Sequence, residues 1–494
     1  MGWFGSRKRQ RSAAAAAFAS AYAAGARAVR AKYDAAQTTP ENRRHWANAD
    51  ALSANAAMTP DVRRILRMRA RYEVANNSYA KGIVLTLAND VIGTGPRLQM
   101  LSEDPKANRL IEREFAAWMK TIDLAAKLRT MRMARAEDGE AFAMLVSNPN
   151  LKSDVQLDIR LIEAEQVTTP VVASMPTAAV DGIVFDDHGN PITYHVLKSH
   201  PGASIAPPGT EYDLVPAKNM VHWFRADRPG QSRGVPDITP ALPLFAQLRR
   251  YTLAVIAAAE TAADIAVFMK TSMPADGEAT PIAVNTEMEF SPRMAVFAPE
   301  GWEPSQIKAE QPPTTYEMFK REIVNEIARC LNMPYNIAAG NSARYNYASG
   351  RLDHQMYFKS IRVEQTHCEG VVLDPILNAW MVEAVKVLDD LQDLEEWPHQ
   401  WFWTGHEHVD PNKEATAATA LLGAGLLTEA EYCARKGMDW EEEQDQRKRE
   451  AEGRKKRGLP EPTGAAPAKD PDEDLDEKID EKLDEKRETA DAPA

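Results

Sequence analysis

Several stretches of the chain place apolar residues three or four positions apart. After Pro60 this pattern runs to Leu87, and residues 107–120 and 314–331 repeat it. Residues 239–270 carry large apolar residues on one face and alanines on the others. These periods predict amphipathic helices, and the alanine-rich stretch predicts a slim helix that can pack closely against its neighbours.

Short apolar runs bounded by turn-forming residues dominate the middle of the chain. One turn sequence, DHGNP at 187–191, separates two of these runs. Strands are expected at 138–146, 155–162, 182–185, 192–197, 212–215 and 221–224. Helices on both sides of a strand-rich middle indicate an α+β fold with an antiparallel sheet.

The last part of the chain changes character twice. Residues 271–313 contain seven prolines and few long apolar runs, which predicts a small, exposed, β-rich insertion between two helices. A long helix is expected over 352–391, with interruptions near Gly370 and Pro375. Beyond residue 450 the chain is rich in proline and alanine and then repeats Asp-Glu-Lys groups every four positions. Because that spacing stacks like charges, this segment is expected to be disordered.

The net charge of −13 is spread unevenly along the 494 residues. Residues 1–50 hold nine Lys or Arg and three Asp or Glu, whereas residues 469–494 hold five and twelve. A chain this acidic is not a general DNA-binding protein, because such proteins gain most of their affinity from Lys and Arg contacts to phosphates. The three cysteines are far apart and fit neither a zinc site nor a disulfide framework, which favours a reducing compartment.

No membrane segment is expected. The basic residues near the N-terminus precede an alanine-rich stretch whose bulky apolar residues are Phe18 and Tyr22, which is too weak for a signal peptide. The best candidate for a spanning helix, residues 251–269, carries Glu260 and Asp264, and charges at mid-bilayer are costly.

Motifs for catalysis or cofactor binding are weak. The chain contains no G-x4-G-K-[ST] sequence, so it is not a P-loop motor. Gly93 and Gly95 follow a predicted helix instead of opening one, which argues against a dinucleotide-binding loop. His406 and His408 would share one face of a strand near Asp410 and resemble metal ligands, but a surface loop explains them equally well. We therefore predict no catalytic residue, no metal and no cofactor.

The most informative stretch is residues 221–236, VHWFRADRPGQSRGVP. It places Arg225, Arg228 and Arg233 among glycines and prolines, between an apolar strand and a helix. A loop that joins the strand to the helix explains the prolines, which suit the first helical turn. The stretch also closely resembles the HxFxxxRPGQxRGVP segment of the lambda-type family of tailed-phage portal proteins.

Further segments resemble the same family in the same order. They are VIGTGPRL at 91–98, RLIEAE at 160–165, DHGNPITY at 187–194, ARCLNMP at 328–334, RYNYASGR at 344–351, VDPNKE at 409–414, GLLT at 425–428 and GMDW at 437–440. The chain departs from the family's NYSSAR sequence at Ala348 and Gly350, where the family usually has Ser and Ala.

The resemblance implies a portal-type subunit with an α+β wing, a two-helix stem, a small β-rich clip and a helical crown, assembled as a ring that is dodecameric in the family. The implied parts, in chain order, are a flexible basic segment (1–55), the wing (56–235), the first stem helix (236–270), the clip (271–313), the second stem helix (314–333), the tunnel-loop region (334–351), the wing and crown helices (352–450) and a disordered acidic tail (451–494).

Site residues follow from these parts. For the tunnel loop beside the DNA channel we predict Asn341, Arg344, Tyr345 and Asn346. For the subunit interface we predict Arg225, Arg228, Arg233, Leu248, Val255 and Ala262, the arginines being free to reach a neighbouring copy. For docking of the motor by the clip we predict Glu287, Glu289 and Arg293.

The predicted function is that of a portal protein, a ring at one capsid vertex of the virion through which double-stranded DNA is packaged and ejected. Assembly is expected in the host cytoplasm. The implied partners are further copies of the chain, the terminase large subunit, the head-tail adaptor, the major capsid protein, scaffold or protease proteins, and DNA without sequence specificity. The alternative is a DNA-processing enzyme of the packaging pathway, a nuclease or a terminase subunit. The missing P-loop and the order of the motifs favour the portal.

Overall fold

The computed structural model describes residues 34–170, 179–203, 211–263, 267–271, 302–306, 313–391, 396–405 and 411–460. The chain divides into two units, Met1–Ala57 and Met58–Ala494. The described part of the first unit contains a 3-10 turn at Asp34–Ala36 and one helical turn at Ala54–Ala57. No helix among the described residues is both long enough and apolar enough to cross a membrane.

The second unit is mainly helical. Its helices within the described ranges are α1 (Pro60–Asn76), α2 (Ser78–Ile92), α3 (Pro105–Thr121), α4 (Leu124–Asp138), α5 (Leu242–Ala263), α6 (Pro313–Arg329), α7 (Tyr335–Ala339), α8 (Tyr347–Cys368), α9 (Asp374–Val387), α10 (Pro411–Gly423), α11 (Glu429–Arg435) and α12 (Trp440–Arg457).

All of the described strand pairs are antiparallel. The strands are β1 (Arg97–Met100), β2 (Glu140–Ser147), β3 (Leu157–Ile162), β4 (Ala179–Val180), β5 (Ile183–Phe185), β6 (Pro191–Leu197), β7 (Tyr212–Pro216), β8 (Met220–Phe224), β9 (Val267–Thr271), β10 (Trp302–Gln306) and β11 (His399–Phe402). They form a sheet in the order β3-β2-β8, a sheet in the order β4-β5-β6-β7, and the pairs β1-β11 and β9-β10. The predicted α+β fold with antiparallel sheets is confirmed.

The helix expected from Pro60 to Leu87 is in fact two helices. Asn77 between them is extended, with φ −122° and ψ 117°, and its side chain accepts hydrogen bonds from the backbone N–H groups of Tyr79 and Ala80. The prediction of one helix was wrong because an asparagine side chain competes with the helical backbone for these donors, and so starts a new helix.

The helix expected over 239–270 is shorter than predicted. A 3-10 turn precedes α5, which begins at Leu242 and ends at Ala263. Val267–Thr271 is strand β9, in which Thr271 lies opposite Trp302 of β10. Valine, phenylalanine and threonine favour an extended backbone, but the partner strand comes from a distant part of the sequence, which helical spacing cannot reveal.

The interruption expected near Gly370 and Pro375 is confirmed. Helix α8 ends at Cys368, a π-helical turn follows at Glu369–Leu373, and Pro375 lies in the first turn of α9. Proline is tolerated there because its missing N–H would have no helical partner.

Two hydrophobic clusters meet at strand β2. The larger cluster lies among the helices and contains Phe115 and Trp380, whose rings are 5.2 Å apart. The smaller cluster lies between the two larger sheets. Ala141 and Ala143 of β2 face the larger cluster and Phe142 faces the smaller one, as the two-residue period of a strand requires. The first residue of β2, Glu140, is also buried, with 1% of its surface exposed.

Candidate functional site

Arg233 of the RPGQSRGVP sequence is buried inside the subunit, with 1% of its surface exposed. Its guanidinium donates to Glu140 through Nη2 at 2.7 Å and through Nε at 2.9 Å. It also donates to the carbonyl oxygens of Val167 at 2.9 Å and Asp181 at 2.6 Å. The prediction that Arg233 is free to reach a neighbouring copy is therefore wrong, because its charge is compensated within its own chain.

Two further arginines, both from α1, complete this group of buried charges. Arg67 pairs with Glu140 and Arg63 pairs with Asp181. Burial, followed by the charge of Arg233, lowers the pKa of Arg63 to about 10. We call Arg63, Arg67, Glu140, Asp181 and Arg233 the buried anchor, since it joins α1 and β2 to the loop after β8.

The ring of His222 lies against the anchor. It stacks between Phe142 and Phe224, with ring centroids 4.2 Å and 4.5 Å away, and its Nε2 is 3.0 Å from Glu140. Burial lowers the pKa of His222, so the neutral ring donates its Nε2–H to the carboxylate. Burial alone would raise the pKa of Glu140, but Arg233, His222 and Arg67 hold it well below its ordinary value.

Two glycines let the backbones meet beside the anchor. Gly139 ends α4 in a left-handed conformation with φ +90°. A Cβ on Gly234 would lie 2.0 Å from the carbonyl oxygen of Gly139, which is too short for a contact between two heavy atoms that are not bonded. The Arg-Gly pair of the motif therefore fixes the loop against the start of β2, and the sequence reading missed this role.

Arg225 and Arg228 lie on the outer side of the same loop. Arg225 is partly exposed and pairs with Asp227 at 2.7 Å and with Asp237 at 3.4 Å. Arg228 is exposed. The side chain of Gln231 holds the loop in shape, since it accepts from the backbone N–H of Asp227 at 2.9 Å. An interface role for Arg225 and Arg228 stays a prediction.

Helix α5 pairs with α6 through aromatic side chains. The ring of Tyr251 is 4.7 Å from that of Phe319 and 5.6 Å from that of Tyr316. Tyr316 donates from its hydroxyl to Thr252 at 3.3 Å. The two helices thus form the helical pair that the sequence predicted on either side of the 271–313 insertion.

The predicted interface residues of α5 differ in how far they are exposed. Leu248 is buried in the subunit's own core, so the prediction that it faces a neighbour is wrong. Val255 is half-buried, and the side chain of Ala262 lies outside what the structure describes. The sequence reading missed Leu253 and Ile256, which are 58% and 48% exposed. Their signal was present, because they are large apolar residues that lie outside the face traced by Leu244 and Leu248.

The loop of residues 341–346 joins α7 to α8. Asn341 is exposed, and Arg344 is exposed and pairs with Glu317 of α6 at 2.9 Å. Tyr345 is half-buried, and burial together with the nearby Asp353 raises its pKa. The structure therefore places these predicted residues in one short connection that α6 and α8 border.

Asn346 has a structural role in this loop. It is the N-cap of α8, and its side chain accepts from the backbone N–H of Ser349 at 2.8 Å. Ser349 completes a capping box by accepting from the backbone N–H of Asn346 at 3.3 Å. The departures from the family sequence at Ala348 and Gly350 thus leave the start of this helix intact.

Several other predicted positions lie outside the described residues. They are Glu287, Glu289 and Arg293 of the insertion and His406, His408 and Asp410 of the metal-like cluster. Among described residues, the ligand atoms of Glu163, Glu165 and His200 lie within 4.8 Å of one another. Arg71 already supplies positive charge there, because it donates to Glu165 at 2.9 Å and lies 3.4 Å from Glu163.

Comparison with known proteins decides the family. The model of the lambda family of phage portal proteins matches residues 40–365. The chain belongs to this family.

Its relatives include a probable portal protein of Halomonas phage phiHAP-1, 25% identical over 81% of this chain and 82% of that protein. Portal protein B of Escherichia phage lambda is 22% identical over 86% of this chain and 90% of that protein. Among solved structures, the neck of a native GTA particle has a chain 13% identical to this one, with a TM-score of 0.42, covering 77% of this chain and 94% of that one.

Membership of this family establishes the function as that of a phage portal protein. Portal proteins are structural components, so the chain is not an enzyme, and the alternative of a nuclease or a terminase subunit is set aside. The family implies assembly as an oligomeric ring and a location at the portal of the phage particle.

Proposed function

We propose that this portal protein forms a closed ring of twelve copies that serves as the conduit for double-stranded DNA. The observation that carries the proposal is the exposure of large apolar side chains on two helices, α5 and α8. They include Leu253 and Ile256 of α5 and Leu352, Met356 and Val363 of α8. Large apolar side chains that stay exposed on one helix face are typical of a protein interface.

The two exposed surfaces suit opposite sides of one interface. Leu352, Met356 and Val363 are spaced by four and seven residues and therefore share one face of α8, which we call the α8 stripe. Leu253 and Ile256 form a second and different surface, the α5 patch. A head-to-tail contact needs two different surfaces, and it closes into a ring when the rotation between copies allows it.

The purified chain tests the ring directly. Mass photometry should show a particle of about twelve times the subunit mass of 54.8 kDa, and negative-stain images should show rings. Monomers alone, or two-fold dimers, at micromolar concentration and moderate salt would contradict the proposal.

We further propose that the loop of residues 341–346 borders the DNA channel. Arg344 offers a phosphate contact and Tyr345 a flat surface that tolerates any sequence, while Asn341 is exposed beside them. Since Asn346 caps α8, Arg344 is the cleaner position to test. Arg344→Ala should leave the rings intact and change the amount of DNA packaged or retained per particle. Unchanged packaging, or collapsed rings, would remove the reason for this assignment.

The 271–313 insertion is our candidate for docking the terminase large subunit and the head-tail adaptor, through Glu287, Glu289 and Arg293. Support comes from its exposed type of composition and from the β9-β10 pair at its base. Because Thr271 lies opposite Trp302, the two ends of the segment 272–301 are attached to paired neighbouring residues. Replacing them with a short Gly/Ser linker should therefore preserve the ring and abolish motor docking. Packaging that persists would disprove this role.

The remaining partners of the proposal are the major capsid protein and the scaffold or protease proteins, with assembly in the host cytoplasm before DNA enters. Their contacts are expected at the outer surface of the ring, away from the α5 patch and the α8 stripe. Co-purification of these proteins with rings from a cell that lacks the terminase would test that order.

A further inference from the structure

A cavity of about 740 Å³ lies between α4, the loop after β8, the end of α6 and the middle of α8. This volume is within the range of sites that hold organic ligands or several side chains. Its lining is unusually cationic for an acidic chain. The charged residues that line it are Arg132, Arg135, Arg225, Arg329, Lys359 and Glu364.

At the buried end of this cavity, hydrogen-bond donors of Arg135 have no acceptor. Arg135 is 1% exposed, and its Nη2 donates to Glu364 at 2.8 Å. Its Nε and Nη1 have no hydrogen-bond partner among the residues that the structure describes. The guanidinium lies over the ring of Trp223, 4.9 Å from its centroid. Unbonded donors in a buried guanidinium are costly, so the site is incomplete as it stands.

The nearby carboxylates are already shared. Glu364 accepts from Arg132 at 3.1 Å as well as from Arg135. Asp237 lies 3.1 Å from Arg132 and 3.4 Å from Arg225. Burial, and then the charge of Arg132, lower the pKa of Arg135. A further anion in the cavity would balance the positive charge of its lining.

The rim of the cavity indicates what kind of anion fits. Met356 and Val363, each 66% exposed, line it and belong to the α8 stripe. A free phosphate or a DNA backbone offers no apolar surface to cover them. A carboxylate side chain flanked by apolar residues on a protein does, and the chain itself, with a net charge of −13, is rich in carboxylates.

We propose that this cavity receives a carboxylate side chain from a second copy of the chain. The inference rests on the proposed ring, and it identifies the contact that the α8 stripe makes there. The incoming carboxylate would accept two parallel hydrogen bonds from an arginine fork, while its apolar neighbours cover Met356 and Val363. The ring interface would thus combine a buried ion pair with apolar burial.

Cross-linking of mixed rings tests the contact. Rings assembled from isotope-labelled and unlabelled copies would be treated with a carbodiimide, which joins a lysine amine directly to a carboxylate. We expect Lys359 to be joined to an Asp or Glu, with labelled and unlabelled peptides combined in the same product. Products that combine only peptides of one label would place the carboxylate in the same copy and overturn the inference, as would an unlinked Lys359 in intact rings.

Charge reversal at the rim provides the second test. Arg329 and Lys359 are exposed, so the double variant Arg329→Glu/Lys359→Glu should keep its thermal unfolding midpoint. We expect ring assembly to require at least a tenfold higher protein concentration. Lys152→Glu, an equally exposed reversal in the connection between β2 and β3, is the matched control and should assemble normally.

The two proposals fail in different ways. Absence of rings from the unmodified chain would contradict the ring itself. Normal assembly of the double variant, beside a normal unmodified ring, would contradict the cavity contact alone. Assembly of the double variant restored by inorganic phosphate, with no mixed-label product at Lys359 in the unmodified ring, would indicate a phosphate site and also overturn the proposal.

Discussion

The buried anchor and the α5 patch both depart from the usual rule that charged side chains are exposed and large apolar side chains are buried. In the anchor, Glu140 and Arg233 are charged and lie inside the subunit, each with several partners. On the α5 patch, Leu253 and Ile256 are apolar and remain 58% and 48% exposed. A buried charge must be compensated within the fold, whereas an exposed apolar side chain can be covered later by another copy of the chain.

The difference separates residues that form the subunit from residues that assemble it. Changes in the anchor should alter the free energy of unfolding of the single chain. Changes on the α5 patch or the α8 stripe should alter the protein concentration at which rings form and leave unfolding unchanged.

Loss of the central carboxylate of the anchor should have the largest effect. In Glu140→Ala the guanidinium of Arg233 stays buried and loses the three hydrogen bonds that its Nε and Nη2 donate to Glu140. We expect the free energy of unfolding to fall by about 3–5 kcal/mol, measured by urea denaturation of the dissociated subunit. Glu317→Ala breaks the exposed pair with Arg344 and should cost less than about 1 kcal/mol. Similar costs for the two variants would contradict the distinction.

Polar substitution on the α5 patch should affect assembly alone. We expect Leu253→Ser/Ile256→Ser to raise the concentration needed for ring formation at least tenfold, as followed by mass photometry. The free energy of unfolding should fall much less than in Glu140→Ala, because roughly half of each side chain is already in water. Leu214→Ser, at an equally exposed leucine of β7, is the control and should assemble normally. A subunit that unfolds more easily would place the patch in the core instead.

The loop of residues 341–346 combines both kinds of residue in a few positions. Asn346→Ala removes the N-cap of α8 and should lower the free energy of unfolding by about 1 kcal/mol. Arg344→Ala, two positions away, should change it by less than about 0.5 kcal/mol, since its pair with Glu317 is exposed. Thermal melts of the two variants would compare them, and an equal loss would mean that Arg344 also supports the fold.

A half-buried carboxylate on α3 should show the smallest effect, and one that depends on pH. Burial, together with the nearby Asp439, Glu441 and Glu442, raises the pKa of Glu112 from its ordinary value of 4.5 to about 7. Between these values the folded chain binds a proton that the unfolded chain has lost, so the stability contributed by Glu112 falls as the pH rises.

Glu112→Gln removes this dependence and can still accept the hydrogen bond from the backbone N–H of Met100. Relative to the unmodified chain, the variant should gain stability as the pH rises through this window, reaching about 1 kcal/mol at pH 8 after allowance for solvent screening. Denaturation at several pH values measures the gain. A gain that is the same at pH 4 and pH 8 would contradict a raised pKa.

Local patterns in the sequence were sufficient for strands β2, β3 and β5 to β8, for α3 and α6, for the break near Gly370 and for the order of the family's motifs. They failed where a side chain or a distant segment replaced the regular pattern. Asn77 split a helix by capping its second half, and β10 converted the end of the expected stem helix into a strand. Helix α4, whose Arg132 and Arg135 line the cavity, was not predicted at all.

The sequence by itself determined the α+β class, the alternation of helices and strands and the family, because each depends on residues close together or on motifs in a given order. The tertiary structure alone decided that Arg233 is an internal anchor and that Leu253 is exposed. Arg233 and Glu140 are 93 positions apart, and the chain carries other arginines and carboxylates at similar spacing. Which of them meet, and which apolar face remains uncovered, depends on how all the elements pack at once, since a charge is buried only where its partner is already in place.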